Sequence, residues 1–151
     1  TDAEGRVILA DALTYAQKYK PGLVVDVATL TGAAEVALGR RASALFTTDQ
    51  KLEAELRAAG ERAGDYAWPL PLWEEYEEEI KGTFGDWANL GNKDKYGGAI
   101  TGAVFLWQFI KGFSWAHIDI APRMTSIDGE FLSKGSAGPA IALLVGFLRN
   151  F

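Results

Sequence analysis

Three charged side chains near the start of the chain are spaced so that they could do chemistry together. Asp2, Glu4 and Arg6 alternate along the sequence at a predicted junction from a strand into a helix, where α/β folds place their sites. Carboxylates bind hard divalent cations and also Zn²⁺, and a nearby arginine could bind a carbonate or stabilise a developing oxyanion. Thr1 and Glu4 also match a capping box before a helix. These residues by themselves leave open both a metal site and a helix cap.

The rest of the sequence offers few other catalytic groups. The chain has one histidine and no cysteine, which excludes a His-Glu-x-x-His zinc site, a thiolate site and a disulfide. His117 lies in an apolar strand pattern, so we predict a packed core histidine there rather than a catalytic base. The acidic run 74–79 predicts a solvated helix face. Gly97-Gly98 indicates either a sharp turn or an anion site at the start of a helix.

The composition is typical of a globular protein. Hydrophobic residues make up 48% of the 151 residues, and the net charge is −5. Lys and Arg form no stripe, so nucleic-acid binding is not expected, and no apolar stretch approaches the ~20 residues of a membrane span. The lack of cysteine is compatible with the cytosol. Because the sequence begins with Thr1 and runs straight into a helix, we expect it to be part of a longer chain.

The hydrophobic pattern predicts helices that alternate with buried strands. Helices are expected at 5–19, 35–38, 50–63, 72–81, 99–111 and 139–151, and strands at 23–30, 42–48 and 115–121. Asp49 is predicted to cap the third helix, and 68–71 to form an extended linker. The polar loop 82–98 is long enough to suggest a functional role. This alternation predicts a single domain with an α/β layered fold.

A series of motifs resembles the leucine (cytosol) aminopeptidase family. The first six residues are similar to its signature Asn-Thr-Asp-Ala-Glu-Gly-Arg without the leading Asn. Further similar segments follow in order at 9–13, 26–33, 73–76, 97–101 and 115–121. The resemblance implies the C-terminal part of the catalytic domain of a two-metal aminopeptidase. It also implies a three-layer α-β-α fold with a mixed, largely parallel sheet, of which this chain would be an incomplete portion.

The resemblance assigns roles to the first motif. Asp2 would be a metal ligand, and Glu4 would bridge two divalent cations, Zn²⁺ or Mn²⁺. Arg6 would hold a bicarbonate that shuttles a proton from the attacking water, and would help to stabilise the tetrahedral intermediate. The substrate would be a peptide from which an N-terminal residue, preferably Leu or another apolar residue, is released. Family members are hexamers, so the resemblance implies a homo-oligomer, in the cytoplasm.

The later motifs would contact the substrate. The backbone carbonyl of Leu30 and the amide of Gly32 would hold the peptide main chain. The resemblance implies a pocket for the first side chain lined by Thr29, Gly32, Ala121 and Met124. Two departures bear on this region: Pro122-Arg123 stands where the family commonly has a Gly, and Ala137-Gly138 where Thr-Gly is more usual. The first departure affects the expected shape of the pocket.

The family's remaining metal ligands and its catalytic lysine would precede Thr1. We therefore expect this chain alone to bind divalent metal weakly, to have negligible peptidase activity, and to leave a sheet edge and apolar surface uncovered. An alternative is a non-catalytic binding or assembly module of the same fold, in which Asp2 and Glu4 only cap a helix. A nucleic-acid-binding role is a third alternative, which the acidic charge disfavours.

Overall fold

The computed structural model describes residues 2–91, 96–130 and 134–150. The α-helices are α1 (Ala3–Ala16), α2 (Gly32–Leu38), α3 (Gln50–Ala63), α4 (Gly98–Trp107) and α5 (Ile141–Leu148). The strands are β1 (Leu23–Ala28), β2 (Ser43–Phe46), β3 (Ala67–Pro69) and β4 (Ser114–Asp119). Short 3₁₀ segments cover Gln17–Tyr19, Glu74–Ile80 and Ala121–Arg123.

The four strands form one mixed sheet in the order β1-β4-β2-β3. β1 pairs parallel with β4, β2 pairs antiparallel with β4, and β2 pairs parallel with β3. The β1–β4 register aligns Asp26 with His117 and Ala28 with Asp119. The two strands therefore end at the same edge of the sheet, and the segments that follow them are neighbours.

Helices cover both faces of the sheet, because strand side chains alternate between its two sides. Ala44 and Phe46 of β2 pack into a cluster with residues of α1, α2 and α4. Leu45, between them, packs on the other face with residues of α3 and α5. This arrangement confirms the α/β fold with three layers and a mixed, largely parallel sheet.

Most predicted elements are present, with changes at their ends. Helix 50–63 has the predicted bounds, and Oδ1 of Asp49 accepts the N–H groups of Lys51 and Leu52 at 3.0 and 3.1 Å. The segment 68–71 is not simply a linker: its first two residues belong to β3, an edge strand where Pro69 is tolerated. The short helix predicted at 72–81 is present as a 3₁₀ helix that spans Glu74–Ile80.

Two predicted strands are shorter than expected at the edge that carries the candidate site. The pattern predicted 23–30 and 115–121, but β1 ends at Ala28 and β4 at Asp119. The N–H of Leu30 donates to a side chain rather than to a neighbouring strand. No helix in the described part of the chain is long and apolar enough to span a membrane.

Candidate active site

Arg6 is the buried centre of the first motif. It lies in the second turn of α1, and only 4% of its surface is exposed. Nη1 donates to the backbone oxygen of Asn89 at 2.7 Å, and Nη2 lies 3.3 Å from Oδ1 of Asp2 and 3.4 Å from the carbonyl oxygen of Gly98. Its buried Nε has no hydrogen-bond partner in the described part of the chain. The guanidinium is thus held in place by three acceptors.

Burial lowers the pKa of Arg6, and the negative charges of Asp2 and Asp119 oppose that shift. An arginine remains protonated in proteins. The first motif therefore contains a permanent positive charge that is largely removed from water, which strengthens its attraction for an anion.

The two carboxylates of the motif lie at the surface. Two-thirds of the Asp2 side chain is exposed, and Glu4 is exposed at the start of α1. Oε2 of Glu4 accepts the backbone N–H of Asp2 at 3.3 Å, and hydrogen bonds from backbone N–H groups lower the pKa of Glu4. Both groups are therefore accessible to a cation.

The helix-cap alternative is only partly supported by this geometry. Asp2 occupies the N-cap position of α1, yet its side chain makes no capping hydrogen bond and contacts Arg6 instead. The other member of the proposed capping box, Thr1, lies outside the described residues. The side chain of Asp2 is therefore available for a role other than capping the start of the helix.

A cleft of about 320 Å³ connects this motif with the second one. Its lining includes Asp2, Arg6 and Gly32, together with Thr31 and Thr101. Gly32 is the first residue of α2 and is exposed. Because the first N–H groups of a helix have no partner within it, the Gly32 amide faces no competing helical acceptor. The structure thus brings three of the predicted site residues together around one opening.

Leu30 and Ala121, predicted from separate motifs, are joined through Asp119. Oδ1 of Asp119 accepts the N–H of Leu30 at 3.0 Å and that of Ala121 at 3.1 Å. Both residues are buried, Leu30 completely and Ala121 with 4% exposed.

The other predicted site residues differ in exposure. Met124 follows the 3₁₀ turn Ala121–Arg123 and is 47% exposed. Thr29 is half-buried beside Leu30. Glu4 is not part of the cleft lining in the described residues.

Asn89 is a residue of this site that sequence reasoning missed. Its side-chain Nδ2 donates to the carbonyl oxygen of Ala3 at 2.9 Å, while its own backbone oxygen accepts Nη1 of Arg6. Asn89 therefore holds both the carboxylate-bearing turn and the arginine. The only available signal was its position in the long polar loop 82–98, whose residues 92–95 lie outside the described part.

The donor set fits part of a metal centre. Among residues 2–91, 96–130 and 134–150, no three His, Asp or Glu side chains meet as a metal-binding group. Two exposed carboxylates two positions apart supply oxygen ligands of the kind that divalent cations prefer. Asp2 and Glu4 thus suit a cation site that draws further ligands from elsewhere.

His117 is a core residue, as predicted, and has a polar partner. It is 1% exposed, and its Nδ1 lies 2.6 Å from Oδ1 of Asp26. Nε1 of Trp115 donates to the other oxygen of Asp26 at 2.7 Å. The histidine ring stacks near Phe46 and Trp115. These contacts connect β1 with β4 beneath the site edge.

The departure at Pro122-Arg123 introduces an ion pair beside the expected pocket. Arg123 is 4% exposed, and its Nη1 donates to Oε1 of Glu130 at 2.9 Å and to the carbonyl oxygen of Arg40 at 3.0 Å. Oε2 of Glu130 accepts the N–H of Ile127 at 3.1 Å. The loop that carries Met124 is therefore tied back onto the protein.

The remaining sequence candidates are structural. Gly97 adopts a left-handed conformation with φ of 62° immediately before α4, which fits the sharp-turn interpretation. In the acidic run, Glu74, Glu75 and Glu78 are exposed as predicted, whereas Glu77 accepts a hydrogen bond from Gln108.

Comparison with known proteins agrees with this fold. The family model described as "Cytosol aminopeptidase family, catalytic domain" matches residues 1–145. The chain is 53% identical over 148 residues to a probable cytosol aminopeptidase of Nitrosomonas eutropha and 51% identical over 148 residues to one of Azoarcus. Each match covers 98% of this chain and 29% of the relative. A mutant of tomato leucine aminopeptidase superposes with a TM-score of 0.90 at 39% identity, over 99% of this chain and 29% of that one.

The family model that the chain matches is that of a catalytic domain. The chain belongs to the cytosol aminopeptidase family. It spans somewhat less than a third of the length of the curated relatives that it matches.

Proposed function

We propose that the whole protein is a two-metal aminopeptidase that releases N-terminal residues, preferably Leu or other apolar residues, from peptides. The observation that carries the proposal is the pairing of buried Arg6 with exposed Asp2 at a cleft that also reaches Gly32. This pairing places a fixed cation, an accessible carboxylate and a helix-start amide around one space. Membership of the family supports the activity.

In this proposal Asp2 and Glu4 would hold two divalent cations, Zn²⁺ or Mn²⁺, with Glu4 as the ligand common to both. When bound, the cations polarise a peptide carbonyl and lower the pKa of the attacking water. Arg6 stabilises negative charge that develops on the substrate, and its position in the cleft lining suits that role. A small anion such as bicarbonate would bind at the same guanidinium.

The substrate contacts would come from the edge where β1 and β4 end. The carbonyl of Leu30 and the amide of Gly32 would align the peptide main chain. Thr29, Gly32, Ala121 and Met124 would line the pocket for the first side chain, and the exposed, flexible Met124 suits an apolar side chain. Small residues at the other positions leave room for Leu.

The test uses the whole protein loaded with Zn²⁺ or Mn²⁺ and leucine p-nitroanilide as substrate. Asp2→Asn and Glu4→Gln should each reduce turnover at least ~100-fold and lower the metal content measured by mass spectrometry, because each removes a charged ligand. Glu74→Gln, in the exposed acidic run, is the control that should change neither. Turnover and metal occupancy that both survive in the first two variants would favour the non-catalytic alternative.

We further propose that these 151 residues are the C-terminal part of the catalytic domain and lack activity alone. Two carboxylates rarely hold two catalytic metals, so the remaining ligands must come from other parts of the protein. Measurable leucine-amide hydrolysis by the isolated chain would contradict this. Assembly as a homo-oligomer, a hexamer by resemblance to the family, and a cytoplasmic location belong to the same proposal; sedimentation of the whole protein tests the assembly.

A further inference from the structure

Asp119 makes a concentrated set of hydrogen bonds at the end of β4. Its carboxylate is fully buried. Oδ1 accepts the backbone N–H groups of Leu30 and Ala121 at 3.0 and 3.1 Å. Oδ2 accepts both the backbone N–H and the hydroxyl of Thr31, at 3.0 and 2.6 Å. A single side chain thus receives four donors from two different segments.

The residue type follows from this arrangement. A buried carboxylate is costly unless its oxygens are hydrogen-bonded, and the four donors meet that requirement. All four partners point N–H or O–H groups at Asp119, so both oxygens must accept. An asparagine in the same orientation would place an NH₂ donor against the N–H of Thr31. The hydrogen bonds from Thr31 to Oδ2 would then be lost.

The two segments that Asp119 joins have separate tasks in the proposed function. Leu30 and Gly32, after β1, would bind the peptide main chain, and Ala121 and Met124, after β4, would line the side-chain pocket. Since β1 and β4 are parallel and end together, a carboxylate at the end of β4 can reach both. Thr31 also lines the cleft beside Arg6, so the same carboxylate supports the wall next to the catalytic arginine.

We propose that Asp119 is a positioning residue that fixes the main-chain subsite relative to the side-chain pocket. The proposal rests on the function proposed above, and it adds a residue that does not touch the substrate. Among the described residues, Asp119 is not part of the cleft lining, whereas Asp2 and Arg6 are. Its effect should therefore fall on substrate binding and side-chain discrimination more than on the chemical step.

A matched control exists within the same chain. Asp65 is also a buried aspartate, 8% exposed, and accepts the backbone N–H groups of Ala140 and Leu143, both at 3.2 Å. It holds the start of α5, on the opposite side of the sheet from the cleft. Asp119→Asn and Asp65→Asn make the same chemical change at two buried aspartates, and only one of these lies at the site.

The first measurement is steady-state kinetics of the metal-loaded whole protein with leucine and alanine p-nitroanilides. Asp119→Asn should raise KM for the leucine substrate about tenfold, the size expected for loss of a charge-assisted hydrogen bond, with a smaller fall in kcat. Its preference for leucine over alanine should also fall. Asp65→Asn should lower Tm without changing KM or the preference. Equal kinetic effects of the two variants, or none in Asp119→Asn, would overturn the proposal.

A second measurement does not depend on activity. Hydrogen exchange of the whole protein should show faster exchange at the amides of Leu30, Thr31 and Ala121 in Asp119→Asn, with β1 and β4 amides unchanged. Wild-type exchange rates at these three amides would overturn the positioning role, whether or not the protein is a peptidase. A wild-type protein without peptidase activity would instead contradict the proposed function.

Variants of Thr31 keep the test informative if Asp119→Asn does not fold. Thr31→Val removes the hydroxyl that donates to Oδ2 at 2.6 Å and preserves the branched shape of the side chain. It should raise KM in the same direction as Asp119→Asn, and Thr31→Ser, which keeps the hydroxyl, should raise it less. A larger effect of the serine variant than of the valine variant would contradict the role of this bond.

Discussion

The side chain of Arg6 donates a 2.7 Å hydrogen bond to the backbone oxygen of Asn89, although 83 positions separate the two residues. Asn89 returns a bond from its side chain to the carbonyl oxygen of Ala3. The turn that bears Asp2 and Glu4 is thereby attached to the loop before α4. Asn89, which is far away in sequence, therefore holds both the turn with the proposed metal ligands and the arginine.

Replacement of Asn89 should weaken catalysis without unfolding the protein. Asn89→Ala removes the bond to Ala3, so the turn carrying Asp2 and Glu4 loses one constraint. We expect kcat/KM of the whole protein to fall about tenfold, consistent with loss of one hydrogen bond at a positioned site. Asn150→Ala is the control, since Nδ2 of Asn150 likewise donates to a backbone carbonyl, that of Gly146, at 2.8 Å. Similar losses in the two variants would argue against a site-specific role.

Gly102 should be required for full activity, because the side chain of Arg6 packs directly against it. A Cβ at this position would lie 3.2 Å from Nε of Arg6 and 3.2 Å from Cγ2 of Thr31, so the two side chains that line the cleft would have to move by a few tenths of an ångström. Gly102→Ala should therefore lower kcat/KM by roughly tenfold or more, as expected when a catalytic group is displaced. The measurement is steady-state turnover of leucine p-nitroanilide.

Gly146→Ala is the matched control for that experiment. Gly146 is also helical, and its added Cβ would meet nothing closer than the carbonyl oxygen of Ala59 at 3.9 Å. Alanine is favoured over glycine inside a helix by up to about 1 kcal/mol. The control should keep its activity and gain slightly in Tm. Full activity in Gly102→Ala would show that the arginine tolerates displacement.

Asp65 should contribute to stability rather than to catalysis. It accepts the N–H groups of Ala140 and Leu143, which satisfies donors at the start of α5 that have no partner within that helix. Asp65→Ala should lower the free energy of unfolding by about 1–3 kcal/mol, because it leaves buried donors unpaired. Differential scanning calorimetry of the whole protein provides the measurement. An unchanged Tm would mean that other groups or water replace the carboxylate.

The ion pair of Glu130 with Arg123 should make the pocket loop sensitive to acid. The N–H of Ile127 lowers the pKa of Glu130, and Arg123 and Arg41 lower it further. A carboxyl whose folded-state pKa is depressed stabilises the protein above its unfolded pKa of about 4.3. That contribution is lost as the pH falls through the lower folded-state pKa.

The corresponding experiment compares Tm of the wild type and Glu130→Gln from neutral pH downward. The difference should be constant near neutrality and should shrink below about pH 4.3, where the carboxyl of the unfolded chain begins to bind protons while that of the folded protein stays ionised. Glu74→Gln changes an exposed glutamate that makes no ion pair within the described part of the chain, and it should show no such convergence. A Tm difference that is independent of pH would mean that the charge of Glu130 is not involved.

The local elements of the fold could be predicted because their causes lie within a few residues. The bounds of α3 followed from Asp49, which caps it, and from the apolar spacing of its buried residues. The burial of His117 followed from its apolar strand context. β3 was missed because its Pro-containing sequence indicates a linker, and only pairing with β2 makes it a strand.

The sequence by itself determined the family, the α/β alternation and the identity of the first-motif residues. The tertiary structure decided how those residues are held. Arg6 meets Asn89 only in the folded chain, where Asn89 contacts the start of α1. Leu30 and Ala121 likewise meet through Asp119 because β1 pairs with β4. The sequence does not reveal these contacts, because one partner of each hydrogen bond is a backbone N–H or carbonyl. Almost any residue type supplies such a group at those positions.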